Sequence, residues 1–252
     1  MFSRISQQYQ DKTAVVIGAG GIGGAIAESL AGNVSRLVVA DRDEAALEKL
    51  ATLLNTPRLL TQPLDVGDST AVAQFFDWVK STAGTPDFLF YTAGVLNIEP
   101  LADTTQAIWD RAMSVNLSGA FYCVHAVAEQ MRAEKRGSIL LLGSIAGTKA
   151  RSGARVNPVY NTTKAGLAAP VNAAAMQLRK DGIRINCISP GPTATNMMDV
   201  QPPSVHAAVS EIMLDSRMNS PLEVAELALF IAAHGRFTGE DVGMGVGAGL
   251  GG

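Results

Sequence analysis

The run Thr13-Ala14-Val15-Val16-Ile17 ends in Gly18-Ala19-Gly20-Gly21-Ile22-Gly23 and passes at once into a helical pattern, Gly21–Leu30. This join constrains the chain more than any other stretch. A β-branched run that turns through GxGxxG into a helix has the form of an opening βαβ unit. The first glycine permits a tight turn and the second lets backbone approach a pyrophosphate. The third allows helix and strand to pack closely. Free N–H groups at the helix start, aided by the helix dipole, then face the phosphates. Gly18, Gly20, Gly21, Ile22 and Gly23 are therefore candidate dinucleotide contacts.

The alternation continues. Runs of strand length lie at Leu37–Ala40, Arg58–Thr61, Phe88–Thr92, Ser138–Leu142, Arg184–Ser189 and Asp241–Val246. Helical patterns fill Glu44–Leu54, Ser69–Ala83, Gln106–Glu134, Val159–Arg179 and Pro221–His234. Ser69 reads as an N-cap, and Pro221 sits in a first helical turn. Most strand candidates are apolar without strict alternation, as strands covered on both faces are. With right-handed crossovers this predicts an α/β fold: a Rossmann-like, doubly wound parallel sheet of about seven strands with helices on both faces. No Pro/Ser-rich linker or internal repeat interrupts it, so residues 1–252 read as one domain. The breaks at Pro190–Pro192 and Gln201–Ser204 read as loops within that domain.

Composition excludes several classes. Of 252 residues, 47% are hydrophobic and 17% charged, enough to bury a sizeable core. The formal net charge is −3 and no Lys/Arg run stands out, which disfavours a nucleic-acid partner. Cys123 and Cys187 lie in apolar runs and read as buried free thiols, compatible with a reducing cytoplasm. The N-terminus MFSRISQQYQDK has no apolar signal region, and no apolar run reaches the ~18 residues of a membrane span. His125, His206 and His234 form no metal-binding pattern.

In an open parallel sheet ligands sit at the carboxyl ends of strands, so residues just after strands are the candidates. Asp41 ends the second strand, 18 residues beyond Gly23. A carboxylate there accepts hydrogen bonds from ribose hydroxyls and repels a 2′-phosphate, favouring NAD over NADP. Arg42 follows and leaves room for NADP. Asp65 and Val66 follow the third strand, at the place of an adenine-edge contact. Ala93 and Gly94 follow the fourth, where small residues let backbone lie near a cofactor. Ser144 follows the fifth strand, where its hydroxyl can bond a substrate oxygen. Tyr160 and Lys164 open a helix at positions i and i+4, on one face and about 6 Å apart along the axis. An ammonium beside a phenol lowers its pKa of ~10 and makes it usable as an acid or base. Asn116 falls inside the long helical stretch, where asparagine is a poor helix former and hints at a local role.

The order GxGxxG, Asp41, Asp65, Thr92-Ala93-Gly94, Val115-Asn116, Gly143-Ser144, Tyr160-x-x-x-Lys164 and Pro190-Gly191 resembles the short-chain dehydrogenase/reductase superfamily in its single-domain form. The resemblance runs from Lys12 to about Gly249. It implies an NAD-dependent oxidoreductase that interconverts a small-molecule secondary alcohol and a ketone by hydride transfer, in a homotetramer or dimer. Tyr160 would be the acid/base, and Lys164 would hold the nicotinamide ribose and tune Tyr160. Ser144 would orient the substrate oxygen, and Asn116 would hold a water linking Lys164 to solvent. Pro190-Gly191 would lie by the nicotinamide, with Thr193 or Thr195 on its carboxamide and Ile188 as a backbone contact. Two alternatives stay open. An NADP-dependent 3-oxoacyl-type reductase is opposed by Asp41. A non-catalytic dinucleotide-binding protein predicts the loss of one of Asn116, Ser144, Tyr160 or Lys164, and all four are present.

The chain departs from the family pattern in four places. Ile17 replaces the threonine that ties down the usual glycine turn, and the turn is one residue shorter, so another group must tie it. The segment between Ser144 and Tyr160 is longer than usual and carries Lys149, Arg151 and Arg155. It reads either as a site for an anionic substrate or as a solvated basic loop. A variable substrate-covering segment, about 194–220, holds Met197, Met198, Met213 and Met218, suited equally to an adaptable lid or to core filling. The C-terminal GMGVGAGLGG lacks the family's common Asp.

Overall fold

The computed structural model describes residues 2–148 and 158–248. Seven strands, β1 (Thr13–Ile17), β2 (Arg36–Asp41), β3 (Leu59–Pro63), β4 (Phe88–Tyr91), β5 (Gly137–Leu142), β6 (Ile183–Pro190) and β7 (Asp241–Met244), form one sheet in the order β3-β2-β1-β4-β5-β6-β7. Every pairing is parallel. The order reverses at β1, which pairs β2 on one side and β4 on the other. Ile17 is in register with both Ala40 and Tyr91. The carboxyl ends at Gly18, Asp41 and Thr92 are thereby brought to one crevice, where such sheets bind ligands.

The helices are α1 (Phe2–Gln7), α2 (Gly21–Leu30), α3 (Glu44–Leu54), α4 (Ser69–Ala83), α5 (Gln106–Ala112), α6 (Gly119–Glu134), α7 (Ile145–Thr148), α8 (Pro158–Leu178), α9 (Asn196–Asp199), α10 (Pro203–Ile212) and α11 (Pro221–Ala233). Val15, Ile17, Leu89 and Tyr91 pack on one face of the sheet with Phe75 and Phe76 of α4, Val127 and Met131 of α6, and Leu167 of α8. Ala14, Val16, Leu37 and Phe90 pack on the other with Ile26 of α2, Leu50 of α3 and Val224 and Ile231 of α11. Successive residues of β1 thus enter different cores. That is why the strand reads as continuously apolar, and each such side chain contributes about 1.5–3 kcal/mol by leaving water. No helix among the described residues is long and apolar enough to cross a membrane.

Three expectations are corrected. Asp68, not Ser69, caps α4: its carboxylate accepts the N–H groups of Thr70 at 2.8 Å and Ala71 at 3.2 Å, and Ser69 is already helical. The stretch Gln106–Glu134 is not one helix, because a π turn, Met113–Ser118, separates α5 from α6. The Gln201–Ser204 break is the start of α10, with Pro in its first turn. At the end of α11, the Arg184 guanidinium donates to the carbonyls of Ile231, Ala232 and His234, placing a cation where the helix dipole is negative. The basic segment with Lys149, Arg151 and Arg155 lies outside the described residues.

Candidate active site

A cavity of about 740 Å³ opens across the carboxyl ends of the central strands, a size suited to a cofactor and a small ligand. Gly18, Gly20, Gly21 and Ile22 line it from the β1–α2 turn. Gly18 and Gly21 have φ of +111° and +50°, conformations that side chains rarely adopt. Gly20 is extended, and a Cβ there would meet no protein atom within 4 Å, so its backbone faces open space. Gly23 does not line the cavity. A Cβ there would overlap the Gly18 carbonyl oxygen and the Thr92 hydroxyl, so the third glycine sets the helix-to-strand approach.

The replacement for the missing threonine comes from two neighbouring strands. The Thr92 hydroxyl donates to the Ile17 carbonyl at 2.8 Å, and the Thr92 N–H donates to the same oxygen at 2.9 Å. The Asp41 carboxylate accepts the Ala19 N–H at 2.7 Å and the Asp43 N–H at 2.9 Å. Asp41 lines the cavity, whereas Arg42 is exposed and outside its wall. Asp65 and Val66 are also outside. The Asp65 carboxylate accepts the Gly67 N–H at 2.9 Å and lies 3.6 Å from Arg111, and Val66 is buried in the core. They follow β3, the edge strand, which is separated from β1 by β2.

Ser144, Tyr160 and Lys164 line the same cavity, where Ala93 abuts Gly18 of the glycine turn and Gly94 abuts Lys164. Ser144 follows β5, and its hydroxyl accepts the Ala146 N–H at 3.2 Å and is hydrogen-bonded to Tyr160. Tyr160 lies in the first turn of α8, and Lys164 lies one turn on, its Nζ 5.9 Å from the phenol ring centre. The ammonium donates to the Leu142 carbonyl at 2.7 Å. Burial pulls Lys164 down to about 8. Burial also raises Tyr160 above its ordinary value, against the smaller opposing effect of the Ser144 hydrogen bond. The expected net lowering of the phenol is therefore not what the fold produces: desolvation sets the direction, and the opposing effect comes from Ser144.

Asn116 sits in the π turn, fully buried. Its Nδ2 donates to the Val95 carbonyl and to the Thr163 hydroxyl, both at 3.0 Å, and its Oδ1 accepts the Val95 N–H at 2.8 Å. The side chain clamps the loop after β4 against α8, using both Nδ2 protons and one of the two lone pairs on Oδ1. The π turn is the feature that turns Asn116 inward, as such turns do at many functional sites.

A family model described as enoyl-(acyl carrier protein) reductase matches residues 17–247. The chain belongs to the short-chain dehydrogenase/reductase superfamily. It is similar to the human (3R)-3-hydroxyacyl-CoA dehydrogenase, with 30% identity over 96% of this chain and 97% of the relative. It is also similar to the cis-4-hydroxycyclohexanecarboxylate dehydrogenase of Sinomonas cyclohexanicum, with 30% identity over 91% of this chain and 92% of the relative. A short-chain type dehydrogenase/reductase from Mycobacterium marinum superposes with a TM-score of 0.92, at 25% identity, over 99% of this chain and 100% of that one. This short-chain dehydrogenase/reductase is an oxidoreductase, and its superfamily implies a nicotinamide dinucleotide cofactor. The open backbone at Gly20 and the helix start behind it fit the phosphates of that group.

The rest of the dehydrogenase/reductase site lies after β6. Pro190, Gly191, Thr193 and Thr195 line the cavity, and a Cβ at Gly21 would lie 2.9 Å from the Thr195 methyl, so this loop abuts the glycine turn. Ile188 is buried in the core with its carbonyl accepting the Gly143 N–H at 2.8 Å, so it makes no cavity wall. The methionines divide. Met197 and Met198 line the cavity with Val205 and Val209 of α10, whereas Met213 is buried at 4% exposure. Sequence reasoning missed Leu96, Asn97, Ile98, Asn161 and Glu211, which also line it. The one available signal was Asn97, a polar residue between two large apolar ones just past a strand end.

Proposed function

We propose that this chain interconverts a secondary alcohol and its ketone with NAD, using Tyr160 as acid and base. The observation that carries this reading is the meeting of Ser144, Tyr160 and Lys164 with the glycine turn and Asp41 in one cavity. A bound nicotinamide supplies or accepts the hydride. Burial keeps Tyr160 neutral, so in the reducing direction its O–H is the proton donor to the forming alkoxide. Ser144, bonded to Tyr160, holds the same substrate oxygen and fixes its position. In oxidation Tyr160 first gives up its proton, and the positive charge of Lys164 favours the phenolate. Lys164 uses one donor on Leu142 and keeps two for the nicotinamide ribose. Thr195 suits the carboxamide better than Thr193, whose hydroxyl donates to the Gly191 carbonyl at 3.0 Å.

Asp41 supports NAD, because a 2′-phosphate beside its carboxylate is repelled and Arg42 lies outside the wall. The two named relatives act on secondary alcohols, a hydroxyacyl thioester and a ring hydroxy acid, which supports the reaction class. Residues 1–252 are read as one domain, working as a homo-oligomer in the cytoplasm. A nicotinamide absorbance assay over alcohols and ketones, with NAD and NADP, tests the activity. Tyr160→Phe is expected to lose about 10²–10⁴-fold in kcat while still binding NAD. Full activity in that variant overturns the mechanism.

A further inference from the structure

We infer that Asn97 and Asn161 are specificity-determining residues that read a second hydroxyl on the substrate. The alcohol handled here is then a diol, and its product a hydroxyketone. This assignment depends on the alcohol–ketone reading above and deepens it.

Asn97 follows β4 and Asn161 follows Tyr160 in α8, and both line the cavity. The Oδ1 atom of each is buried from solvent and has no hydrogen-bond partner. Buried amide oxygens are almost always paired. Two unpaired ones lining the same cavity as Ser144 and Tyr160 call for a ligand that brings protons to them. A carbonyl, carboxylate or phosphate oxygen cannot do that, because it only accepts. A hydroxyl can.

Charge narrows the ligand further. Among the described residues lining the cavity, Lys164 is the only cation, and Asp41 and Glu211 are acidic. No other described residue lining the cavity carries a positive charge to pair with a substrate carboxylate or phosphate. An ammonium on the substrate could pair with Glu211, but the Lys164 charge and the apolar side chains of Leu96, Ile98 and Val205 oppose burying it here. A neutral carbon frame with a hydroxyl beside the reacting carbinol fits these groups: its one O–H proton goes to one amide oxygen, and its own oxygen accepts an N–H of the other amide. On oxidation the carbinol C–H bond breaks with its electron pair leaving as hydride to oxidised NAD. The O–H proton passes to the Tyr160 phenolate, formed when Tyr160 has first given up its own proton, and the second hydroxyl stays unreacted on the amides.

The test compares matched substrates on the full chain with NAD: cyclohexanol against vicinal cyclohexanediol, secondary butanol against vicinal butanediol, and hydroxybutyrate as the anionic competitor. The diols are expected to exceed the monohydric alcohols by about 10–100-fold in kcat/KM. Asn97→Leu and Asn161→Leu are expected to lower that ratio at least about fivefold, and Asn97→Asp, which keeps an acceptor, to preserve it. A wild-type ratio of one or less, preference for hydroxybutyrate, or an unchanged ratio in both Leu variants overturns the assignment. Calorimetric binding to the NAD-loaded protein separates this from failure of the parent reading. If no compound is oxidised, the alcohol–ketone reading fails. Tighter diol binding that both Leu variants lose still supports the amide pair, and equal binding of diol and monohydric alcohol overturns it.

Discussion

Gly20 and Gly23 belong to one turn, yet alanine at the two positions is expected to act in opposite ways on stability. At Gly23 a Cβ would lie 3.0 Å from the Gly18 carbonyl carbon and closer still to its oxygen. Carbon atoms pack best at about 3.5–4.0 Å, so the start of α2 must retreat by roughly 0.5–1 Å. Both sides of this contact are backbone or the Thr92 hydroxyl that holds it, so no flexible side chain absorbs the overlap. Overpacking of this kind costs about 1–3 kcal/mol, and the helix propensity gained from alanine returns up to about 1. The net loss is about 1–2 kcal/mol, or roughly 2–6 °C in Tm for a chain of this size. Gly20 has φ −100° and ψ 168°, which alanine adopts freely, and its Cβ meets nothing. Gly20→Ala is therefore expected to keep or raise stability by up to about 1 kcal/mol through a less flexible unfolded chain. Both variants should bind NAD less well, Gly20→Ala because a methyl stands where backbone faces the cavity, and Gly23→Ala because the turn has moved. Urea unfolding and NAD calorimetry on the purified variants measure both quantities. A Gly23→Ala protein as stable as Gly20→Ala would refute the close-approach argument.

Thr92→Val is expected to cost about 0.5–1.5 kcal/mol and no more, because the Ile17 carbonyl keeps the Thr92 N–H when the hydroxyl is lost. Thr92→Ser should restore it, and equal losses in both variants would remove the hydroxyl from the account. Asp41→Asn removes the charge but keeps an oxygen for the Ala19 N–H. Its ratio of NADP to NAD efficiency should rise about tenfold or more, and an unchanged ratio would end the electrostatic case for NAD. Lys164 titrates near 8 in the fold and at 10.5 in its ordinary state, so above pH 8 the unfolded chain holds the extra proton. Stability therefore gains a contribution that grows as pH rises through 8 toward 9, and Lys164→Met should flatten that rise in urea titrations. A variant whose pH slope matches wild type over this window would show that Lys164 is not desolvated as described.

Much of this was legible in local pattern. β1, α2, α3 and α4 fall on the residues their sequence predicted, because apolar period and turn glycines are properties of neighbours in the chain. The π turn at Met113–Ser118 was visible only as a badly placed Asn116, since helical period does not report a single wide turn. Helix α10 was hidden in a segment read as a substrate-covering loop, although Pro203 carried the signal of a first turn. Asp65 was expected at the site from its place after a strand. That this strand is the sheet's edge is set by the order of strands, which no local pattern contains.

By itself the sequence determined the strand–glycine–helix join, the α/β alternation and the identity of Ser144, Tyr160 and Lys164. Each of these is written in residues close together or in motifs of fixed spacing. The tertiary structure alone decided what holds the short turn, Thr92 from 75 positions away and Asp41 from 22. It also decided that Asn116 clamps Thr163, 47 positions on, and that two unpaired amide oxygens line the same cavity as Tyr160. Hydrogen bonds need atoms about 3 Å apart, and for residues this far along the chain only tertiary packing brings them there: β1 between β2 and β4 for Thr92 and Asp41, and the π turn against α8 for Asn116 and Thr163.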